Sequence, residues 1–248
     1  MLTIQDSHCH PLRTLLNPSE FESQWLNAKI DSIVFCTTHP QEWEQALKFG
    51  HCLKKIKHSL YFGIHPWWAQ AYSNRLKLDA TLERLEALIL QNPSFNMGEC
   101  GLDGSIKRKI PLQIQEQVLI GQLQIAHKNQ RKVNLHCVKA TGRLQTLVSQ
   151  FSGLDYTLHS YKGSRESTEI WIKLGAKFSL GKRSFEWSKI HNQGHKQEPM
   201  LHTLQKLYSY EPHRIGFESD APDAGDASTV GALYQFWLSL LNTNSIIL

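Results

Sequence analysis

Six residues have side chains that bind divalent metals and stand at the ends of short apolar segments: His8, His10, Glu99, His136, His159 and Asp220. His8 and His10 form an H-x-H pair. On an extended segment, residues i and i+2 point to the same side, so both imidazoles can reach one ion. Imidazole and carboxylate ligands suit zinc, manganese, iron or nickel, and magnesium where oxygen donors dominate. These residues therefore predict a metal centre.

Glu99 lies between the two groups of histidines in the sequence and could bridge two metal ions. A two-metal site activates water near neutral pH and binds both the attacking and the leaving oxygen of a phosphoryl transfer. His65 stands at another segment end, in Gly63-Ile-His65-Pro66. A single histidine in such a position is more often a hydrogen-bonded core residue. The prediction therefore depends on the coincidence of all these positions.

Short apolar, β-branched segments alternate with segments of helical periodicity, and these must position the polar residues. Within 78–91, Leu78, Leu82, Leu85 and Ile89 recur at steps of four, three and four, which places them on one helix face. Helices are also predicted at 113–130 and 41–57, and less regular ones at 20–29, 141–151, 164–173, 198–208 and 229–241. The eight predicted strands are Leu2–Asp6, Asp31–Thr38, Leu60–Ile64, Phe95–Glu99, Lys132–His136, Leu154–His159, Ala176–Gly181 and Arg214–Asp220.

The alternation of strands with helices indicates βαβ units with parallel pairing. Eight units favour a closed (β/α)8 TIM barrel of the α/β class over an open, doubly wound sheet. In both folds, ligands bind where the carboxyl ends of the strands meet the following loops, so we expect the six candidate ligands to converge. No low-complexity segment, repeat or linker interrupts the chain, and residues 1–248 are predicted to form a single TIM-barrel domain.

The composition is that of an ordinary globular protein, with 41% hydrophobic and 20% charged residues among 248. The five cysteines are odd in number and show no C-x-x-C spacing, which favours a reducing compartment over a disulfide framework. The segment from Met1 to Asp6 lacks the basic and apolar regions of a signal peptide, and no apolar run could cross a bilayer. We expect a cytoplasmic protein with no membrane association and no obligate protein partner.

The formal charge of +5 is compatible with a polyanionic partner. Lysine and arginine side chains in loops after strands could follow a phosphate backbone without reading its sequence. Trp67, with Trp68 beside it, could stack an unpaired base. Each feature alone is common on protein surfaces, but their position on one face favours a nucleic acid as substrate. The basic residues in these loops are Lys107, Arg108 and Lys109 after strand 4, Lys139 after strand 5, Lys162 and Arg165 after strand 6, and Lys182 and Arg183 after strand 7.

At these residues the sequence resembles the TatD family of metal-dependent deoxyribonucleases, within the amidohydrolase-like barrels. Asp6-Ser-His8-Cys-His10 resembles the opening D-x-H-x-H motif of the family, and Gly98-Glu99-Cys-Gly101-Leu102-Asp103 resembles its G-E-x-G-L-D motif. The remaining matches are Gly63-Ile-His65-Pro66-Trp67, His136, His159-Ser-Tyr-Lys-Gly163 and Glu218-Ser-Asp220-Ala221-Pro222. The resemblance extends from Asp6 to about Asp223, nearly the whole chain.

The resemblance implies two divalent ions, which could be magnesium, manganese or zinc. The first would be bound by His8, His10, Glu99 and Asp220, and the second by Glu99, His136 and His159. It also implies a 3′-5′ exonuclease that cleaves phosphodiester bonds of DNA, in single strands or at 3′ ends. Because Asp220 would orient the attacking hydroxide, we take Asp220, Glu99 and His65 as candidate catalytic residues. The candidate substrate-binding residues are Lys107, Arg108, Lys109, Trp67 and Lys162.

The chain departs from the family pattern where the substrate would be positioned. Val138 stands where the family commonly has an arginine, two residues after the strand-5 histidine, and Gly104 replaces an aromatic residue. After Asp220 the usual N-x-P motif is absent and the tail looks shortened. One alternative is therefore the same metal site hydrolysing a small-molecule amide or ester, or an aminoacyl-tRNA ester. Another is an inactive metal-binding interaction protein, against which the presence of every ligand argues.

Overall fold

Eight parallel strands form a closed barrel in the computed structural model, which describes residues 4–191 and 199–243. The strands are β1 (Ile4–Cys9), β2 (Ile30–Cys36), β3 (Lys57–Phe62), β4 (Asn96–Asp103), β5 (Val133–Val138), β6 (Tyr156–Leu158), β7 (Lys177–Leu180) and β8 (Ile215–Phe217). The helices of the described residues are α1 (Pro18–Asn27), α2 (Trp43–Cys52), α3 (Arg75–Leu90), α4 (Leu112–Lys128), α5 (Thr141–Val148), α6 (Arg165–Lys173), α7 (Lys182–His191), α8 (Pro199–Tyr210) and α9 (Ala227–Thr243). Each strand pairs with its sequence neighbours and β1 pairs with β8. The predicted (β/α)8 barrel is confirmed.

The boundary between α2 and β3 differs from the prediction. The helix predicted over 41–57 ends at Cys52, and β3 begins at Lys57 instead of Leu60. The carboxylate of Glu22, a buried residue of α1, accepts hydrogen bonds from the backbone N–H groups of Lys54 at 2.7 Å and Ile56 at 3.0 Å, and from that of Lys55. These donors are satisfied outside a helix, so α2 need not continue.

Two strands that carry predicted ligands extend further than the apolar pattern indicates. β1 continues to Cys9 and β4 to Asp103, whereas Leu2 and Thr3 of the first predicted strand lie outside the described residues. Gly101 allows the extension of β4. Its φ is +153°, and a Cβ there would lie 2.0 Å from the carbonyl oxygen of His136 in β5. Only glycine permits so close an approach.

The eighth predicted strand is shorter than expected, because β8 ends at Phe217. Asp220 therefore stands beyond the ladder, where its backbone N–H donates to the carbonyl oxygen of His8 at 3.0 Å. The sequence pattern does not predict α7. The apolar residues of that segment, Phe185, Trp187 and Ile190, are spaced two and three apart instead of three and four.

Large aromatic side chains fill the layer between the barrel and its helices. Trp171 of α6 packs edge-on against Tyr156 of β6, with ring centroids 6.0 Å apart, and Trp237 of α9 packs against Phe217 of β8 at 6.0 Å. Burial of each such ring stabilises the fold by roughly 2–3 kcal/mol. Among the described residues, no helix combines the length and the hydropathy needed to span a bilayer. The prediction that residues 1–248 form one domain stays a prediction.

Candidate metal centre

The six predicted metal ligands converge at the carboxyl end of the barrel, where all of them are buried. Three of them belong to β1, β4 and β5, His10 and His159 follow β1 and β6 directly, and Asp220 stands three residues after β8. Gly63, after β3, brings that strand end against β4, since a Cβ there would lie 2.5 Å from the carbonyl oxygen of Glu99. A cavity of about 250 Å³ opens at this point and is lined by His10, Arg13, Thr38, Glu42, His65, Trp67, Trp68, Glu99, His136, His159, Arg183, Asp220 and Asp223.

His8 and His10 form one group of donor atoms with Glu99 and Asp220. The Nε2 atoms of the two histidines are 3.0 Å apart, and Glu99 Oε2 lies 3.5 Å from the first and 3.3 Å from the second. Asp220 Oδ1 is 3.9 and 3.8 Å from the same nitrogens. Two ligand atoms about 2.1 Å from a tetrahedral ion are roughly 3.4 Å apart. The spacing is therefore that of ligands around one ion.

The second oxygen of Glu99 faces a second group of histidines. Glu99 Oε1 is 2.8 Å from His136 Nδ1 and 2.8 Å from His159 Nε2, and these two nitrogens are 3.2 Å apart. One carboxylate thus contacts both groups through different oxygens. This is the arrangement that a bridging ligand requires.

The Nδ1 atoms of His8 and His10 point away from the other ligands, and their partners show which tautomers are present. His10 Nδ1 lies 3.0 Å from the carbonyl oxygen of Cys36, and His8 Nδ1 lies 2.9 Å from Oδ1 of Asn134. Both partners are acceptors, so in the neutral imidazoles Nδ1 carries the hydrogen and Nε2 presents a lone pair. Two lone pairs 3.0 Å apart beside a carboxylate repel each other unless a cation lies between them. The residues therefore fit a divalent ion.

The histidines of the second group face carboxylates with their outer nitrogens. His159 Nδ1 lies 3.5 Å from Glu218 Oε1, and His136 Nε2 lies 3.5 Å from Asp103 Oδ2. Such partners fix the orientation and tautomer of metal-binding histidines. Glu218 is fully buried, and within the described part of the chain neither of its oxygens has a hydrogen-bond partner. A cation bound by His159 would compensate this buried charge.

Burial and neighbouring charges act in opposite directions in this cluster. Burial alone would raise the pKa of the Glu99 carboxyl, but the positive charges of neighbouring histidines, that of His159 foremost, hold this pKa well below its usual range. Burial disfavours the charged imidazole of His159, yet Glu99 and Glu218 raise its pKa well above the usual range. For His8, burial and the charge of His159 both lower the pKa. Protons and metal ions therefore compete for the same nitrogens.

His65 donates a hydrogen bond into the site. Its Nδ1 accepts from the backbone N–H of Trp67 at 3.2 Å, so Nε2 carries the hydrogen and faces Glu99 Oε1 at 3.2 Å. Burial lowers the pKa of His65 to about 4, which leaves the ring neutral at pH 7. The indole N–H of Trp67 donates to Asp103 at 2.9 Å and fixes this half-exposed ring at the rim of the cavity.

The predicted substrate-binding residues do not all reach the cavity. Trp67 lines it, whereas Lys107, Arg108, Lys109 and Lys162 are exposed and lie outside its lining. A role for these four residues stays a prediction.

Two arginines line the cavity, and the sequence analysis missed one of them. Arg13 follows β1 and makes a bidentate ion pair with Asp223, at 2.7 and 3.0 Å. Arg183 Nη1 lies 3.4 Å from Asp220 Oδ2, and its Nη2 donates to the carbonyl oxygen of Asp223 at 3.1 Å. Arg13 stands three residues after the H-x-H pair, so attention to basic residues after strand 1 would have identified it.

A buried carboxylate connects the first and last strands below the site. Asp6 accepts hydrogen bonds from the backbone N–H of Ser219 at 2.9 Å, from its hydroxyl at 2.6 Å and from the indole N–H of Trp25 at 2.9 Å. Burial raises its pKa to about 6 despite these bonds. Asp6 therefore fixes the position of Asp220 relative to His8.

Curated proteins with similar sequences are nucleases. The human 3′-5′ RNA nuclease TATDN2 is 27% identical over 191 residues, which cover 71% of this chain and 24% of that protein. The 3′-5′ ssDNA/RNA exonuclease TatD of Salmonella typhimurium is 29% identical over 154 residues, which cover 60% of this chain and 55% of that protein. The chain therefore spans about half the length of the second relative and a quarter of the first.

Solved structures share the fold over nearly the whole chain. The TatD homologue YJJV from Escherichia coli superposes with a TM-score of 0.77 at 20% identity, covering 96% of this chain and 90% of that protein. An uncharacterized amidohydrolase from Saccharomyces cerevisiae gives 0.71 at 16% identity, covering 100% and 83%. At such identities the likeness concerns the fold alone. The profile of TatD-related DNases, however, matches residues 5–233. The chain belongs to the family of TatD-related DNases.

Proposed function

We propose that this protein is a divalent-metal-dependent 3′-5′ exonuclease that hydrolyses phosphodiester bonds in single-stranded DNA. The observation that carries the proposal is the position of Glu99, which contacts one pair of histidines through Oε2 and another through Oε1. The family, and the nuclease names of two relatives, support a nucleic acid as substrate.

Six residues would hold the metal ions in this proposal. His8, His10 and Asp220 would hold one divalent ion, His136 and His159 a second, and Glu99 both. Mg, Mn or Zn would suit these donors. When bound, such ions lower the pKa of a water molecule and neutralise charge that develops on the phosphate.

Asp220 is placed to orient the attacking water. Its Oδ1 faces His8 and His10, and its Oδ2 faces the cavity side where Arg183 lies. Asp220 could therefore accept a hydrogen bond from the attacking water at Oδ2, the oxygen that does not face the histidines. His65 is neutral, and its Nε2–H can donate to Glu99 or to a phosphate oxygen.

The rim of the cavity suits an unpaired base. Trp67 and Trp68 are 51% and 45% exposed beside the buried ligands. Trp67 is fixed by its bond to Asp103, and Trp68 packs against His39 with ring centroids 4.5 Å apart. Base stacking on an aromatic ring contributes about 1–3 kcal/mol and requires a splayed, single-stranded base. This favours a single strand over a duplex and over a small-molecule amide or ester.

A cytoplasmic location belongs to the same proposal. All five cysteines are free, and Cys9, Cys36 and Cys100 are buried. Unpaired thiols are usual in a reducing compartment.

The test uses single-stranded DNA labelled at either end, with Mg, Mn or Zn and with EDTA. We expect stepwise shortening from the 3′ end with metal and none with EDTA. Glu99→Gln should reduce the rate by at least about a thousandfold, since both groups lose the carboxylate they share and the group of His136 and His159 keeps no anionic ligand. Metal analysis should give two ions per wild-type chain and at most one per variant.

The matched control is Glu169→Gln, which removes an exposed carboxylate paired with Arg165 on the surface of α6. It should leave the rate unchanged. Equal activity of Glu99→Gln and wild type, or full activity in EDTA, would contradict the proposal. Parallel reactions with RNA and with a small chromogenic ester decide between the substrate classes.

A further inference from the structure

Arg183 stands next to the predicted ligands but has no part in holding an ion. The two oxygens of Asp220 face different partners: Oδ1 faces the Nε2 atoms of His8 and His10, and Oδ2 lies 3.4 Å from Arg183 Nη1. The carboxylate of Asp220 thus lies between the guanidinium and the predicted metal ligands, where a phosphate would react. Arg183 lines the cavity, and its side chain is 48% exposed.

The backbone that carries Arg183 is firmly held. Ser184 is fully buried, its N–H donates to the carbonyl oxygen of Gly181 at 3.0 Å, and its hydroxyl accepts from the N–H of Gly181 at 3.2 Å. The guanidinium makes two described hydrogen bonds, to Asp220 and to the carbonyl oxygen of Asp223. Arginine has five N–H donors, so donors remain for an anion that enters the cavity.

A second cation lies on the same side. Arg13 lines the cavity and is paired with Asp223, the residue whose carbonyl oxygen accepts from Arg183. In the closed barrel, β7, β8 and β1 are neighbours, so the two arginines flank Asp220. β3, which precedes Trp67, lies four strands from β7 in the ring of eight and therefore on the opposite side of the barrel mouth.

We propose that Arg183 binds the phosphodiester group of a single-stranded nucleic acid at its point of cleavage, with Arg13 on the neighbouring phosphate and the base towards Trp67. The inference rests on the proposed function and adds the direction in which the strand crosses the site. Arginine binds phosphate in bidentate fashion and is well suited to the charge of the transition state. The family commonly has an arginine at the position of Val138. Arg13 and Arg183 would supply positive charge in place of that arginine.

The first test measures binding without metal, so that it does not depend on catalysis. Fluorescence anisotropy of a labelled single-stranded oligonucleotide in EDTA, over a series of salt concentrations, compares wild type, Arg183→Ala and Arg143→Ala. Arg143 is a matched control because it is 49% exposed and paired with Glu116, outside the cavity lining. We expect Arg183→Ala to raise the Kd about tenfold and to flatten the salt slope by about 0.7. Arg143→Ala should match wild type.

The second test separates binding of phosphate from support of Asp220. With manganese, Arg183→Ala should lower kcat about a hundredfold on both an oligonucleotide and bis(p-nitrophenyl) phosphate. Arg183→Lys should recover oligonucleotide affinity better than kcat, since lysine keeps the charge but not the planar fork. Manganese affinity, measured by calorimetry, should stay within about twofold of wild type, and guanidinium ion should partly restore the kcat of Arg183→Ala.

The outcomes distinguish this inference from the proposed function. If wild type degrades DNA and Arg183→Ala behaves like Arg143→Ala, the inference is overturned and the nuclease function stands. A loss of manganese affinity equal to the loss of kcat would also overturn it, because Arg183 would then act only through Asp220. If wild type binds DNA through Arg183 but does not cleave it, the binding of phosphate by Arg183 stands and the nuclease function fails. Absence of both binding and cleavage overturns both.

Discussion

Glu218→Gln tests whether the carboxylate beside His159 serves the metal centre. The side chain is fully buried, its Oε1 lies 3.5 Å from His159 Nδ1, and a Cβ at Gly181 would lie 3.2 Å from the same oxygen. Glutamine has the same shape and retains an acceptor oxygen, so packing is preserved. The substitution removes the charge that polarises the His159 ring, and a neutral acceptor attracts the ring N–H less strongly.

The magnitude follows from this position. Loss of an outer partner of a metal-binding histidine lowers metal affinity about 10–100-fold, or about 1.4–2.7 kcal/mol. With metal in excess, the stabilisation gained on binding falls by the same amount, because it varies with the logarithm of Kd. For a chain of this size the metal-induced rise in Tm should shrink by roughly 3–10 °C.

The assay is calorimetric titration of metal-stripped protein with manganese, together with thermal unfolding in EDTA and in excess manganese. Glu211→Gln is the control, because Glu211 precedes β8, is partly exposed and pairs with the buried Arg214. The reasoning is refuted if Glu218→Gln binds manganese like wild type. It is also refuted if Tm falls equally with and without metal, since Glu218 would then serve the fold alone.

Two further predictions concern the surface loop after β4 and the segment before β3. Replacing Lys107, Arg108 and Lys109 with alanine should raise KM for oligonucleotides and reduce the salt slope by about 0.7–0.9 per lost phosphate contact, with little effect on a small chromogenic phosphodiester. Equal losses on both substrates would show a structural role for the loop. Glu22→Gln should lower the free energy of unfolding by about 1–2 kcal/mol at pH 7 in urea titrations, because three backbone N–H groups lose an anionic acceptor. These bonds outweigh burial and lower the pKa of Glu22 below 4.5, so the difference should shrink as the pH falls below about 4.5; a difference that widens in acid would contradict this.

The barrel could be predicted because its signals are local. Apolar spacing such as that of Leu78, Leu82 and Leu85 indicates a buried helix face. Eight strands that alternate with helices leave few possible topologies. The errors arose where a distant residue decides the local structure. Glu22 supplies the acceptor that satisfies the N–H groups after α2, and Gly101 lets β4 continue beside His136. Neither contact is visible in a window of neighbouring residues.

The residues behind the predicted ligands carry a signal that the sequence analysis did not use. Asp6, Asn134 and Glu218 each stand two residues before a predicted ligand, namely His8, His136 and Asp220. Alternation on an extended segment directs i and i+2 to the same side, as for the H-x-H pair itself. The spacing alone does not show which ligand each residue serves. Asn134 bonds to His8 of β1 rather than to His136 of its own strand, and that pairing depends on closure of the barrel.

The metal centre and the surface that would position a substrate are built from different parts of the barrel. The ligands stand on strands or within three residues after them and are buried, whereas Arg13 and Arg183 stand in or just after loops and are partly exposed. Changes in loops can therefore alter the charge around the site while the ligand geometry is kept. Val138, on β5, leaves that side of the mouth without the cation common in the family, and the arginines supply positive charge beside β1 and β7. In the closed ring β1 is four strands from β5 and β7 is two, so Arg13 lies opposite Val138 and Arg183 lies between them. The path of a phosphate backbone across the site should follow that charge.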